Sequence, residues 1–290
     1  MCPDSARRGG LRRLHRPPLP RGPPRAAPGR ARLITGGGAT GLLVAAGLVA
    51  GTVNGAAGGG TLVSFPALLA TGLPALPANI TSSVGIWPGY LSGVAGFRDV
   101  VAAQASRSAE LAPFALAGAV IGSILLLTTP DKAFTAITPY LVLGACALFA
   151  AQPVIARLVS AEMTASDSHS PSRPRLAAAQ GGILASSVYG GYFGAGLGVI
   201  LLALLGLVLP DGMVRTNGLR TVLSLVASTG AATVFVIHGS IDWRDAALLA
   251  ASSLVGGYIG ARVARRLPPL VFRLLVISLG LATAVRLLVH

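Results

Sequence analysis

Charge is scarce in this chain, and amino charge is almost missing. Of 290 residues, 11% are charged, where a soluble domain carries about 25%. Lys132 is the single lysine, and the acids are Asp4, Asp99, Glu110, Asp131, Glu162, Asp167, Asp211, Asp242 and Asp245. All of these acids fall in the N-terminal tail, in connecting segments or at the ends of apolar stretches. A proton relay through intramembrane carboxylates, or a cation-selecting carboxylate ring, would therefore have nothing to work with. No phosphate-binding glycine loop ends in a lysine, which excludes ATP hydrolysis by this chain. The two cysteines, Cys2 and Cys146, give neither a disulfide framework nor a metal-ligand spacing. The histidines His15, His169, His238 and His290 are scattered, so no metal and no cofactor is expected. No nucleophile–base pair stands out, and an enzyme is not expected.

What fills the chain instead is apolar. Mean hydropathy is +0.72 and 38 residues are glycine. Apolar stretches fall at 34–57, 59–72, 80–96, 111–129, 134–153, 176–193, 197–210, 217–238, 245–264 and 269–288. A spanning helix needs about 20 residues. Eight stretches reach or approach that length, while 59–72 and 197–210 are too short and each follows a glycine cluster. The expected fold class is an all-α integral membrane protein: about eight transmembrane helices plus two short, Gly-interrupted half-helices.

The net charge of +14 is unevenly spread. Residues 1–33 hold nine arginines against the one acid Asp4, so they account for +8 of the net charge of +14. The segment is rich in proline and glycine and has no aromatic residue on which a base could stack, so nucleic acid is not an expected partner. It reads as a disordered basic tail suited to anionic lipid. The alternative is a leader that begins upstream of the functional start.

A polar linker at 154–175 divides the apolar part in two, into 34–153 and 176–290. The halves match without gaps at an offset of 138: Gly58 with Gly196, Gly60 with Gly198, Asn79 with Asn217, Gly118 with Gly256, Gly122 with Gly260, Pro130 with Pro268 and Phe134 with Phe272. Two pseudo-symmetric repeats are expected, each a broken helix, a half-helix and three full helices. Paired broken segments mark the substrate site in many secondary transporters. A break leaves backbone N–H and C=O groups without partners, and lipid cannot satisfy them.

The first break is Asn54-Gly-Ala-Ala-Gly58-Gly59-Gly60-Thr61, and the second runs from Tyr189 through Tyr192, Gly194 and Gly196 to Gly198. A helix that starts after such glycines offers free N–H groups and a positive dipole end to an anion. The competing reading is that the glycines only let helices pack closely. Asn79, Thr81 and Ser82 in one half, and Asn217 in the other, stand where helices are expected to start. They are either oxyanion donors or simple N-caps. Arg220 lies a turn inside an apolar stretch with no acid within a turn, and reads as a counter-charge for the anion or as a snorkelling arginine.

These residues resemble the TauE/SafE family of sulfite exporters. The resemblance rests on Gly51, Asn54, Gly58, Gly59, Gly60, Phe65, Pro66 and Leu68, then on Pro77, Asn79, Thr81 and Ser82. In the second half it rests on Gly190, Gly191, Tyr192, Phe193, Gly194 and Gly196, and on Gly256, Gly257, Gly260 and Arg262. It covers about residues 40–288 and implies export of sulfite, organosulfonates or related small anions across a bacterial inner membrane. The expected partners are that small anionic substrate and the lipid bilayer, and a largely apolar surface permits a homodimer. An anion channel and a non-transporting scaffold are the alternatives.

Charge placement gives two topologies. Arg262, Arg265 and Arg266 favour a cytoplasmic connection before the last helix, while the equivalent Pro130-Asp131-Lys132 is nearly neutral. That contrast favours inverted halves. The basic tail favours parallel halves with the N-terminus inside. In either case the anion is expected between the halves, with one half rocking against the other.

Overall fold

The computed structural model describes residues 36–56, 58–165, 173–208, 212–263 and 269–289. The basic tail, most of the polar centre of the linker, Arg265 and Arg266 lie outside the described residues. All the regular structure described is helical. The first half holds α1 (Gly37–Ala56), α2 (Thr61–Ala70), α3 (Ala75–Gly96), α4 (Arg98–Ala102), α5 (Ala105–Thr128) and α6 (Asp131–Ala165). The second holds α7 (Arg173–Tyr192), α8 (Leu197–Val208), α9 (Met213–His238), α10 (Trp243–Val263) and α11 (Pro269–Val289).

Four helical segments are both long and apolar enough to cross a membrane: Gly37–Gly55, Ala105–Thr128, Asp131–Leu158 and Val214–His238. Helices α3, α7, α10 and α11 have comparable lengths of 22, 20, 21 and 21 residues. α3 carries more glycine and serine because protein rather than lipid surrounds it: Asn79, Thr81, Ser82, Gly85, Gly89 and Ser92 are all buried. Bulky apolar side chains such as Ile121, Ile124, Leu125, Leu254, Val255 and Ile259 face outward. That pattern is the reverse of a soluble surface and fits hydrocarbon as the outer solvent. The chain is a multi-pass membrane protein.

Several helices begin earlier than hydropathy alone indicates. α3 starts at Ala75 rather than 80 and α9 at Met213 rather than 217. Their first turns are polar or proline-containing, which lowers hydropathy without stopping the helix, since proline is tolerated in a first turn. Asn79 and Asn217 consequently stand a full turn inside their helices, so neither is an N-cap. The short helix α4 was not legible in hydropathy; its Arg98 and Asp99 are exposed and 3.6 Å apart.

Small residues decide which helices touch. α1, α3 and α10 form one tight group. Along α1 and α10 the contacts advance together, Gly47 with Ser252, Gly51 with Gly257 and Thr52 with Gly260, so these helices run parallel. A methyl group on Gly256 would strike the Leu48 carbonyl, and one on Gly260 the Thr52 carbonyl. Thr52 Oγ1 donates to the Gly256 carbonyl at 3.1 Å, and Ser253 Oγ to the Gly85 carbonyl at 3.0 Å. α5, α7 and α9 form the second group, in which Gly118 faces Leu184, Gly122 faces Val188 and Gly230 faces Leu116. Close backbone approach of this kind replaces the hydrophobic drive that lipid cannot supply between helices. Each group draws helices from both halves of the sequence.

The contact between groups runs the other way. Trp87 meets Thr229, Tyr90 meets Ser228 and Gly93 meets Thr221, so numbers rise along α3 as they fall along α9. α6 and α11 are likewise antiparallel, with Val142 beside Gly280 and Cys146 beside Ile277.

Candidate functional site

The site is built where the two chain breaks cross. After Asn54 the backbone turns through Gly58 at φ +72° and restarts as α2. Asn54 Oδ1 accepts hydrogen bonds from the Gly59 N–H at 3.0 Å and the Gly60 N–H at 2.6 Å, while the Gly58 N–H donates to the Val53 carbonyl at 2.9 Å. These three amides were expected to be free for an anion. They are occupied, because leaving them bare in a buried break would cost about 1–3 kcal/mol each, and Asn54 is close enough to cap them. Asn54 is therefore first a cap.

The second break turns at Gly194 and Gly196, at φ +78° and +84°. Tyr189 fixes it by donating its hydroxyl to the Ala195 carbonyl at 2.7 Å. Phe65 of α2 and Phe193 pack edge to face with ring centres 5.7 Å apart, which ties one break to the other. At the crossing itself a methyl group on Gly58 would lie 2.7 Å from the Gly198 Cα and 3.1 Å from Arg220 Nη1. Only glycine fits Gly58, by conformation and by space.

Arg220 reaches this crossing from α9. It is 1% exposed, and it is the only charged residue in the buried set among the described residues. Its Nε and Nη1 have no hydrogen-bond partner, and neither has Asn54 Nδ2. The titratable group that acts on it is the Tyr90 phenol, which also faces Asn54 and Ser228. Tyr90 and Ser228 also line a small cavity of about 20 Å³, together with Thr61, Ser83, Ile86 and Leu197 among others. That is room for about one water. The arrangement is a buried cation and an amide, both with idle donors, joined through Tyr90 to a small cavity of mixed polar and apolar lining. Such donors can bind an oxyanion and can do little acid–base chemistry.

Of the residues expected at the site, the structure gathers Asn54, Gly58, Gly59, Gly60, Thr61, Gly194, Gly196, Gly198 and Arg220 at or beside the crossing. Others are engaged in holding helices. Asn79 Nδ2 donates to the Tyr192 carbonyl at 3.0 Å, satisfying the end of α7. Thr81 Oγ1 accepts from the Asp242 N–H at 3.1 Å, and Ser82 Oγ lies 2.6 Å from Ser64 Oγ. The Tyr192 ring packs on Phe134, and its hydroxyl is 3.4 Å from Thr129 Oγ1. Asn217 is half-buried one turn inside α9. Tyr90 and Ser228 were missed. They are 138 residues apart, the repeat offset, but a search for identical residues passes over a tyrosine matched to a serine.

Known proteins resemble this chain over most of its length. A protein of Sinorhizobium sp. named "Probable membrane transporter protein ORF9" is 27% identical over 253 residues, covering 85% of this chain and 91% of its own length. A "Probable membrane transporter protein" of Haemophilus influenzae is 26% identical over 229 residues, covering 77% and 84%. No solved structure matches the chain. Residues 18–287 match the family described as sulfite exporter TauE/SafE. That match spans nearly the whole chain, and it assigns the protein: the chain belongs to the TauE/SafE sulfite exporter family.

Proposed function

We propose that this protein carries sulfite, organosulfonates or related small oxyanions across the bacterial inner membrane by alternating access around Arg220. The observation that carries this reading is the buried guanidinium with two nitrogens, Nε and Nη1, that lack hydrogen-bond partners. An uncompensated ion inside a protein costs several kcal/mol. It is retained here because the cargo provides the missing negative charge.

Two inverted repeats, with eight helices spanning the bilayer, form the frame. In support, α3, α5 and α6 begin at 75, 105 and 131, and α9, α10 and α11 begin at 213, 243 and 269, each 138 later. The corresponding pairs α3/α9 and α6/α11 pack antiparallel, as a two-fold axis in the membrane plane requires. Tyr90 against Ser228 and Val142 against Gly280 are residues meeting their own counterparts, and the axis passes between them. Chain order then puts the α3–α5 junction, the 154–175 linker and the α10–α11 connection on one face. By sequence these carry Arg98, Arg107, Arg262, Arg265 and Arg266, so that face is cytoplasmic.

The moving parts are not the sequence halves. α1 packs on α10, and α5 on α7, through glycine contacts that leave no slack. The rigid units are α1/α3/α10 and α5/α7/α9, and they rock about the α3–α9 contact. The pocket of about 20 Å³ belongs to a closed state, since a sulfonate is several times larger than a water. Membrane potential drives efflux, at about 2.3 kcal/mol per charge per 100 mV.

The test is flux into proteoliposomes containing the purified protein, with sulfite and an organosulfonate as cargo. Saturable uptake is expected; uptake linear in concentration would make the protein a channel, and no uptake of either anion would sink the reading. Asn54→Asp sharpens it. The carboxylate keeps both backbone acceptor contacts, so folding is retained, but its charge satisfies Arg220. Flux is expected to fall at least tenfold, about 1.4 kcal/mol, with no loss of thermal stability.

A further inference from the structure

We infer that the site selects oxyanions bearing a single negative charge and rejects doubly charged ones, an inference that rests on the transporter reading above. The argument is a count of charges. Arg220 is the only charged residue in the buried set among the described residues. The repeat offset of 138 pairs it with Ser82, which is fully buried and whose hydroxyl lies 2.6 Å from Ser64. The two-fold arrangement that duplicates the breaks, α3 with α9, and α6 with α11 therefore does not duplicate the cation. The site has one cation where strict symmetry would give two.

The neighbours do not change the count. α3 presents the Tyr90 phenol, the titratable group acting on Arg220. α1 presents the neutral Asn54, the first break presents Gly58, and α8 presents Gly198. A free phenol ionises near pH ~10 and a guanidinium stays protonated throughout the neutral range. A singly charged oxyanion beside Arg220 makes a neutral buried pair. A doubly charged one leaves an uncompensated charge away from water, the arrangement that burial penalises most. Neutral donors such as Asn54 Nδ2 can solvate the extra charge only in part. Bisulfite and alkanesulfonates are singly charged, whereas sulfite above neutrality and sulfate are doubly charged.

The experiment varies the ligand and leaves the protein intact. Uptake of labelled methanesulfonate, whose charge does not change with pH, is measured in proteoliposomes, with sulfate and sulfite as competitors. Thermal stabilisation of the purified protein by each anion provides a readout independent of transport. Sulfate is expected to compete at least tenfold more weakly than methanesulfonate and to give no stabilisation. Sulfite is expected to compete more strongly one pH unit below neutrality than one unit above, following its singly charged fraction, while methanesulfonate uptake stays constant. Equal competition by sulfate and methanesulfonate, or sulfite potency independent of pH, would overturn the charge rule while leaving the transporter standing. If no anion of either charge is transported or stabilises the protein, the transporter reading fails and this inference with it.

Discussion

Arg220→Met is expected to abolish anion flux and to raise thermal stability at the same time. The two effects have one cause. Arg220 is 1% exposed, with Nε and Nη1 unpartnered. Methionine keeps much of the aliphatic stem, fills space adaptably and carries no charge to desolvate. Removing an uncompensated buried charge is expected to stabilise the fold by on the order of 2 kcal/mol or more. Transport goes in the opposite direction. Hydrogen bonds to a charged group contribute roughly 1.5–3 kcal/mol each, and two are lost, so binding should weaken at least 100-fold, each factor of ten being about 1.4 kcal/mol. Thermal unfolding in detergent and methanesulfonate uptake in proteoliposomes check the two halves. A variant that loses stability would make Arg220 a structural residue whose partner is protein, and the counter-charge argument would fall.

The second large effect is structural. Gly122→Ala and Gly256→Ala, each a single added methyl, are expected to destabilise the fold by roughly 2–3 kcal/mol, more where backbone must separate. At Gly122 the methyl meets the Val188 carbonyl of α7, and at Gly256 the Leu48 carbonyl of α1. Neither obstacle is a flexible side-chain end, so relief requires one whole helix to move off its neighbour. Gly144→Ala and Gly181→Ala are the controls, since nothing lies near the added methyl at either. There the higher helix propensity of alanine should be neutral to stabilising, by up to about 1 kcal/mol. Unfolding temperatures of the four variants should therefore separate into two classes. If all four behaved alike, the close approach of α1 to α10 and of α5 to α7 would not be what holds the two groups together.

Both predictions bear on how much the sequence could tell. Scarce charge and long apolar stretches determined the membrane setting and helical class, because only helices and closed barrels satisfy their backbone in hydrocarbon, and continuous apolar runs are not the alternating strands of a barrel. The doubled glycine runs located both breaks, since glycine is nearly obligatory where φ turns positive, as at Gly58 and Gly194. The isolated arginine at 220 was visible for the same reason: a cation in an apolar stretch needs an explanation.

Other features were beyond reach. Hydropathy cannot show that α3 begins at Ala75, and so could not decide whether Asn79 was a cap or lay inside a helix. Nothing in the residue pattern said that Asn54 would take up the amides of Gly59 and Gly60, because that bond depends on how sharply the chain turns back. Spacing alone determined that this chain is helical, membrane-embedded and broken twice. Only the tertiary structure decided that α1 belongs with α10 rather than with its own half, that Tyr90 meets Ser228, and that Nε and Nη1 of Arg220 are left without hydrogen-bond partners. Those outcomes depend on which small faces meet across a hundred or more residues, and local sequence carries no information about the partner a face will find.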